Sequence, residues 1–209
     1  MANVKEDPEH RARRLAVRAL EKQIANLETI RFEPAQLQQL KIRTLPMSFR
    51  ENGELDFKPC FFKPYPADLL DYYNFKPLDE IQVPPDQKPS WQAMAICDIP
   101  SVDRPHIQCD MIYNIDGDDR LLRGELLALI RIILGVLSAT SLVDHLITPV
   151  LLFSYMGPQH GRILQGHFDG DNLVVRYSKL YDFRKKNNYV VKLFTQWLLC
   201  HPTGNTKAK

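Results

Sequence analysis

Two carboxylates and a histidine crowd one short stretch of the sequence. His167, Asp169 and Asp171 occupy alternate positions there. Carboxylate and imidazole groups at such spacing can bind a catalytic divalent metal. The run Asp169-Gly170-Asp171 is also what a tight hairpin turn requires for backbone reasons alone. The turn is the favoured interpretation, and no metal site is predicted.

A second acidic stretch precedes a run of apolar residues. Twelve residues counted from Asn114 end at Glu125, and oxygen-bearing side chains fall at the first, third, fifth and twelfth positions, as in a calcium-binding EF-hand loop. The sixth position is Asp119, where that loop requires glycine. A solvated turn whose aspartates cap the next helix is therefore the favoured interpretation.

Histidines and acids elsewhere in the chain suggest a third kind of chemistry. The aromatic-rich residues 57–91 can line an apolar pocket over a sheet, and such a pocket needs only a few polar groups to act on a small molecule. The polar residues that would serve there are His106, Asp110, His160 and His167. The chain has no G-x-S-x-G nucleophile elbow, phosphate-binding loop or dinucleotide-binding glycine motif. No cofactor is predicted.

Four basic residues recur at helical spacing near the amino terminus: Arg11, Arg14, Arg18 and Lys22. Such a stripe can contact the phosphates of a nucleic acid. Glutamates on the same segment dilute its charge, and the whole chain carries a net charge of only +2. A solvated helix face is the favoured interpretation. An acidic protein partner or a helix–helix contact is the alternative, and nucleic acid is the less favoured partner.

Composition places the chain among ordinary globular proteins. It has 209 residues, of which 44% are hydrophobic and 25% charged. The longest apolar stretch, residues 126–139, is too short to span a bilayer, and no secretory signal is visible at the amino terminus. None of the four cysteines forms a C-x-x-C pair. We therefore expect an intracellular protein of the cytoplasm or nucleus that does not bind membranes.

Residues 1–45 predict a helical arm. Asp7 suits the start of a helix, and Pro34 is expected to end it. A short second helix is expected over residues 35–42. The apolar face of the first helix is predicted to consist of Ala16, Leu20, Ile24 and Leu27.

Residues 46–209 predict a single α+β domain. Its first part, residues 46–105, is rich in proline and aromatic residues and is expected to form an irregular wrap on the core, with one or two helical turns over residues 67–73. The regular core, residues 90–202, is expected to form a mixed sheet with packed helices in the order β-β-α-β-β-β-α. The strands are predicted at residues 90–98, 106–115, 149–155, 161–168 and 172–178. One helix is predicted from Asp118 or Asp119 to Ser138, and the last from Asn187 or Asn188.

Four runs stand out in the last part of the chain: LRGEL at residues 122–126, PVLLFSYMG at 149–157, RIL at 162–164 and KLYDF at 179–183. With these runs, residues 120–204 resemble uncharacterised filamentous-fungal proteins. The resemblance implies a lineage and brings no established activity with it.

A helix that bears Glu125, three strands and a second helix follow one another in this same part. This order resembles the core of the PD-(D/E)XK nuclease-like fold, which implies metal-dependent phosphodiester hydrolysis with Glu125 as the helix glutamate. The sequence departs from that pattern because the strand at residues 161–168 has no acidic residue and VVR at 174–176 stands where the family has E-x-K. Asp169 and Lys179 are present but displaced. The resemblance therefore implies a degenerate site.

The lack of an intact catalytic motif and the amphipathic first helix favour a non-catalytic protein-interaction or scaffold module. A nuclease-like or nucleic-acid-binding protein that uses Glu125, Asp169 or Asp171 is the first alternative. A small-molecule enzyme with the apolar pocket is the second. The sequence leaves open whether the first helix packs on its own chain, on a partner protein or on a second copy.

Overall fold

The computed structural model describes residues 6–55, 57–70, 89–98 and 104–207 of the chain. Its α-helices are α1 (Pro8–Ala25), α2 (Pro34–Gln39), α3 (Arg123–Leu137) and α4 (Asn188–Leu198). Its strands are β1 (Arg31–Phe32), β2 (Ile42–Pro46), β3 (Phe62–Lys63), β4 (Trp91–Asp98), β5 (Ile107–Asp116), β6 (Leu121–Leu122), β7 (Val150–Gly157), β8 (His160–Phe168), β9 (Leu173–Tyr177), β10 (Tyr181–Asp182) and β11 (His201–Pro202). Two short 3-10 helices cover Ala67–Leu70 and Thr140–Leu142.

A mixed sheet forms the middle layer. The strands β2, β9, β8, β7, β5 and β4 lie side by side in this order, and β10 also pairs with β8. The pairs β2–β9 and β5–β7 are parallel, and the other pairs are antiparallel. The helix α3 supplies the crossover that the parallel neighbours β5 and β7 require. The predicted α+β fold, with a mixed sheet and helices packed on it, is confirmed. The predicted boundary at residue 45 falls inside β2.

One face of the sheet is covered by α1 and α3. Val17 and Ile24 of α1 are buried with the apolar residues of α3 in a first core. Arg131 of α3 also pairs with Glu21 of α1 at 2.9 Å. The first helix therefore packs on its own chain, which the sequence had left open. Its predicted apolar face is wrong at Ala16, which is exposed, because Val17 lies in line with Ile24 instead.

The other face is covered by α4 and by the described part of the proline-rich stretch. Phe61 and Phe62 are buried against Phe153 and Ile163 of the sheet in a second core. At these residues the stretch packs its aromatic rings on the core, as predicted. The 3-10 helix Ala67–Leu70 lies where helical turns were predicted. The remaining predicted aromatic and helical positions, residues 71–75, lie outside the described residues.

The helix α3 begins later than its sequence predicts. The short strand β6 precedes it and pairs with β1, so the helix begins after Leu122 rather than after Asp118 or Asp119. The prediction of an aspartate cap is wrong because the Asp118 carboxylate binds the guanidinium of Arg120 at 2.5 Å. Glu125 supplies the cap instead, since its Oε2 accepts the backbone N–H of Leu122 at 2.9 Å.

The helix α4 begins as its sequence predicts. The side-chain oxygen of Asn187 accepts the backbone N–H of Val190 at 3.3 Å, which caps the first turn. Val190 and Trp197 then lie on the face that packs into the second core. Among the residues that the structure describes, no helix has the length and apolar character needed to cross a membrane.

Candidate functional site

Glu125, the residue on which the nuclease-like resemblance depends, is part of a buried ion pair. The Nε of Arg162 donates to its Oε1 at 2.7 Å, and Nη2 donates to its Oε2 at 2.5 Å. Arg162 also donates to the backbone carbonyl oxygens of Asp118 and Arg120, at 3.2 and 2.6 Å. Both carboxylate oxygens of Glu125 therefore accept hydrogen bonds from Arg162. Through Arg162, Glu125 joins α3 to β8 and to the loop between β5 and α3.

The two aspartates that resembled metal ligands lie in the turn between β8 and β9. Oδ1 of Asp169 accepts the backbone N–H of Asp171 at 2.9 Å and that of Asn172 at 2.8 Å. Gly170 has a φ of +119°, a conformation that glycine adopts most readily. No three His, Cys, Asp or Glu side chains in the described part of the chain form a group that could hold a metal ion. The hydrogen bonds of Asp169 and the positive φ of Gly170 are those of a hairpin turn.

Two of the predicted histidines lie in one buried region beside Phe61. The Phe61 ring centroid is 6.4 Å from that of His106 and 4.9 Å from that of His167. The Nε2 of His106 donates to the carbonyl oxygen of Thr203 at 2.9 Å. Burial disfavours the charged imidazolium and lowers the pKa of each histidine to about 4. Both rings are therefore neutral at pH 7.

We expect the protein to lose stability as the pH falls from about 6.5 to about 4. In the unfolded chain a histidine binds a proton near pH 6.5, whereas the pKa of folded His106 is about 4, so acid favours the unfolded chain across this window. His106 contributes on the order of 1–3 kcal/mol to this loss in the free energy of unfolding. Urea denaturation at a series of pH values measures the loss.

A variant without the titrating group separates this effect from general acid denaturation. His106→Gln should lose less stability than the wild type over the same window. His201→Gln is the matched control, because the side chain of His201 is exposed, and it should follow the wild type. An unchanged acid loss in His106→Gln would contradict the assignment.

The other polar residues of the predicted pocket lie apart from this pair. His160 is at the first position of β8, in the hairpin with β7, whereas His167 is near the last. Asp110 lies on β5 opposite Phe153, where burial raises the pKa of its carboxyl group. The four predicted residues therefore do not come together at one point. An open cleft of about 680 Å³ is instead lined by Asp182, Lys185, Lys186, Asn187, Asn188 and Tyr189.

The basic stripe of α1 is partly engaged within its own chain. Arg14 binds the carboxylate of Glu6 through hydrogen bonds of 2.9 and 2.8 Å, and this contact lowers the pKa of Glu6 to about 2. The side chains of Arg11, Arg18 and Lys22 are exposed. These exposed cations lie opposite the buried stripe of α1, which is consistent with the solvated face interpreted from the sequence.

Sequence reasoning missed two buried polar residues beside His167. Gln165 and Arg176 face each other across the β8–β9 ladder, and both are buried. The Arg176 guanidinium carbon lies 4.2 Å from the ring centroid of Phe57. A signal was present in the sequence, because both residues interrupt strands that are mostly apolar, and buried polar residues are the informative ones.

The strand β4 is the outermost strand on one side of the main sheet. It pairs with β5, and no described strand pairs with its other side. Met94 and Ile96 are 57% and 59% exposed. An edge strand presents unpaired backbone N–H and C=O groups, and natural proteins usually protect it with lysine, proline or inward-pointing charges. The strand itself contains no lysine or proline, and its one charged residue is Asp98 at the last position.

The first residues of β4 are anchored, and the strand is exposed from Met94 onward. Trp91 packs against the first core, and the guanidinium carbon of Arg131 lies 5.7 Å from its ring centroid. A register shift in the ladder with β5 makes Met94 the extra residue of a bulge. Beyond the bulge, Ile96 is exposed. The sequence predicts this strand, but its edge position becomes visible only when the order of the sheet is known.

The described residues form a three-layer α+β fold with a mixed sheet, in which β4 is an edge strand. Comparisons with models of protein families, with curated proteins and with solved structures found no match. What this chain does must therefore be inferred from the arrangement of its strands and side chains.

Proposed function

We propose that this protein is a non-catalytic protein-interaction module that binds an extended segment of a partner protein along β4. The observation that carries the proposal is the outer edge of β4, which no strand of the described residues pairs with and where Met94 and Ile96 are exposed. An incoming strand would pair with the free backbone groups and cover the exposed apolar side chains, which is the binding mode called β-strand addition. Since β4 is already ordered by its pairing with β5, it has little conformational freedom to lose on binding.

The separation of the polar residues supports a non-catalytic role. A catalytic group must reach its partners within hydrogen-bond distance. Glu125 is bound to Arg162, Asp169 accepts backbone hydrogen bonds in a turn, and His160 lies at the opposite end of β8 from His167. The nuclease-like and small-molecule alternatives stay predictions, and so does the filamentous-fungal lineage.

We also propose that the protein acts inside the cell, in the cytoplasm or nucleus. Its cysteines, Cys60, Cys97, Cys109 and Cys200, are free thiols. Free thiols, one of them exposed on β4, suit a reducing compartment.

Replacing Ile96 by lysine is expected to weaken the binding of an extended peptide at least about ten-fold. The lysine would place a charge where a partner strand buries apolar surface, and lysine is a residue that natural edge strands use against pairing. The peptide is selected on the wild-type protein from a display library of unstructured sequences. Calorimetric titration of wild type and Ile96→Lys with that peptide measures the change.

A lysine on another exposed apolar position is the control. Leu15 on α1 is 48% exposed, so Leu15→Lys should bind the peptide as the wild type does. Both variants should keep the free energy of unfolding within about 0.5 kcal/mol of wild type. Equal peptide binding by Ile96→Lys and wild type would contradict the proposal. The proposal would also be contradicted if the wild-type protein is monomeric by light scattering and no peptide of the library binds it.

A further inference from the structure

A group of polar side chains lies buried where β8 and β9 face the second core. Gln165 of β8 is opposite Arg176 of β9 in the ladder. His167 follows two positions after Gln165 on β8, so its side chain projects from the same face of the sheet. All three residues are buried, with no more than 5% of any one exposed. We call these three residues the Arg176 cluster.

The Arg176 cluster has polar atoms without hydrogen-bond partners. Among the described residues, nothing pairs with either amide atom of Gln165, with Nδ1 of His167 or with Nη1 of Arg176. Buried polar atoms in native proteins are almost always hydrogen-bonded, because an unpaired one loses its hydration without compensation. Four such atoms from three neighbouring side chains form a polar site that can bind a ligand.

Arg176 is also a buried cation. Its Nη2 donates to the carbonyl oxygen of Lys58 at 3.4 Å, and its guanidinium stacks on the ring of Phe57. No carboxylate of the described residues lies within ion-pair distance of it. A buried charge without a partner is strongly unfavourable, so a bound anion would stabilise this arrangement.

The electrostatic surroundings of the cluster are positive. Burial is the main cause of the lowered pKa of His167; Arg176, Arg43 and Arg13 lower this pKa further, and Asp169 acts in the opposite direction. Burial lowers the pKa of Arg176 itself, and Arg43 lowers it further. A field of this sign favours a negatively charged ligand.

The segment of residues 57–62 covers the cluster. Phe57 stacks on Arg176 at 4.2 Å, and the ring of Phe61 lies 4.9 Å from that of His167. The thiol of Cys60 donates to the carbonyl oxygen of Phe62 at 2.9 Å within the same segment. This segment separates the cluster from solvent.

We propose that the Arg176 cluster binds a phosphate group. The N–H groups of Arg176 and Gln165 would donate to phosphate oxygens, and the arginine fork suits such an oxyanion. The unpartnered Oε1 of Gln165 needs a donor, which the O–H of a monohydrogen phosphate supplies and which sulfate and acetate lack at neutral pH. Phosphate thus supplies acceptors for the N–H groups of Arg176 and Gln165 and a donor for Oε1 of Gln165. The site is independent of β4 and of the interaction proposed there.

Thermal unfolding of the full chain in inorganic phosphate tests the proposal. A ligand that binds only the folded protein raises Tm with its concentration. At constant ionic strength, adjusted with chloride, we expect Tm to rise with phosphate at pH 7. Sulfate and acetate at the same concentrations should raise it less.

Two variants assign the effect to the cluster. Arg176→Met should abolish the dependence of Tm on phosphate, and Gln165→Leu should weaken phosphate binding at least about ten-fold, which corresponds to about 1.4 kcal/mol. Arg184→Met is the control, because Arg184 is exposed and pairs with Asp182 at the surface, and it should keep the wild-type dependence.

The proposal is overturned if phosphate leaves the Tm of the wild type unchanged. It is equally overturned if the variants of the cluster respond to phosphate as the wild type does, since binding would then lie elsewhere on the surface. If Arg176→Met does not fold, Gln165→Leu decides the question alone, because an apolar residue of similar size replaces a buried amide.

Discussion

Replacing Arg162 by methionine is expected to lower the free energy of unfolding by about 3–5 kcal/mol, because it leaves the carboxylate of Glu125 buried without its cationic partner. Both side chains of this ion pair are almost completely buried. Arg162 also donates to the carbonyl oxygens of Asp118 and Arg120, so its loss would loosen the loop that leads into α3. Urea denaturation of the wild type and the variant measures the difference.

Two further variants separate the buried charge from the packing of this region. The double variant Glu125→Leu with Arg162→Met should recover part of the loss, because it removes both charges together. Arg184→Met breaks an exposed ion pair with Asp182 and should cost less than about 1 kcal/mol. A loss for Arg162→Met that is no larger than that of Arg184→Met would contradict the structural role of the buried pair.

Replacing Trp197 by alanine is expected to cost about 3–5 kcal/mol as well, for a different reason. Trp197 of α4 is fully buried in the second core, and its ring centroid lies 5.5 Å from that of Phe49. Its Nε1 donates to the carbonyl oxygen of Gly53 at 3.0 Å. The side chain thus joins α4 to the loop after β2, and alanine would leave a cavity and free that loop. Thermal and urea denaturation measure the loss.

The variant Trp197→Phe divides this effect between packing and hydrogen bonding. It keeps most of the apolar surface but leaves the Gly53 carbonyl without its donor, so we expect a loss of about 1–2 kcal/mol. Leu199→Ala is the control on the exposed side of the same helix end, and it should change stability by less than about 0.5 kcal/mol. Equal losses for the alanine and phenylalanine variants at position 197 would contradict the packing role of the indole.

Local patterns predicted those elements whose causes are local. The alternation of apolar and polar residues before Asp116 predicts β5, and the Asp-Gly step at Asp169 predicts the hairpin that joins β8 to β9. Asn187 predicts the start of α4 because a helix cap depends only on residues a few positions apart.

Features that depend on distant residues were not predictable in this way. The cap of α3 involves Glu125, whose carboxylate is fixed by Arg162, 37 positions away. Asp118 looked like a cap in the sequence, but Arg120 and Arg31 bind it in the folded protein. Side-chain chemistry alone does not reveal such pairings, because they depend on which strands become neighbours.

The proposed interaction edge and the Arg176 cluster share this dependence on topology. The sequence predicts β4 as a strand, but only the order of the sheet makes it an edge with Ile96 exposed. Gln165 and Arg176 lie on different strands, and only the β8–β9 register brings them opposite each other. His167 was a catalytic candidate from the sequence, and only the fold shows that it lies buried next to Gln165 and Arg176.

Hydrogen exchange of the β4 amides, with and without the selected peptide, tests the central claim most directly. In the free protein, amides of β4 that point away from β5 should exchange quickly because no strand of the described residues pairs with them. Bound peptide should slow exchange at residues 91–98 in the wild type and leave Ile96→Lys unaffected. Protection confined to another surface, such as the exposed face of α1, with β4 unchanged would contradict the assignment of β4 as the binding edge.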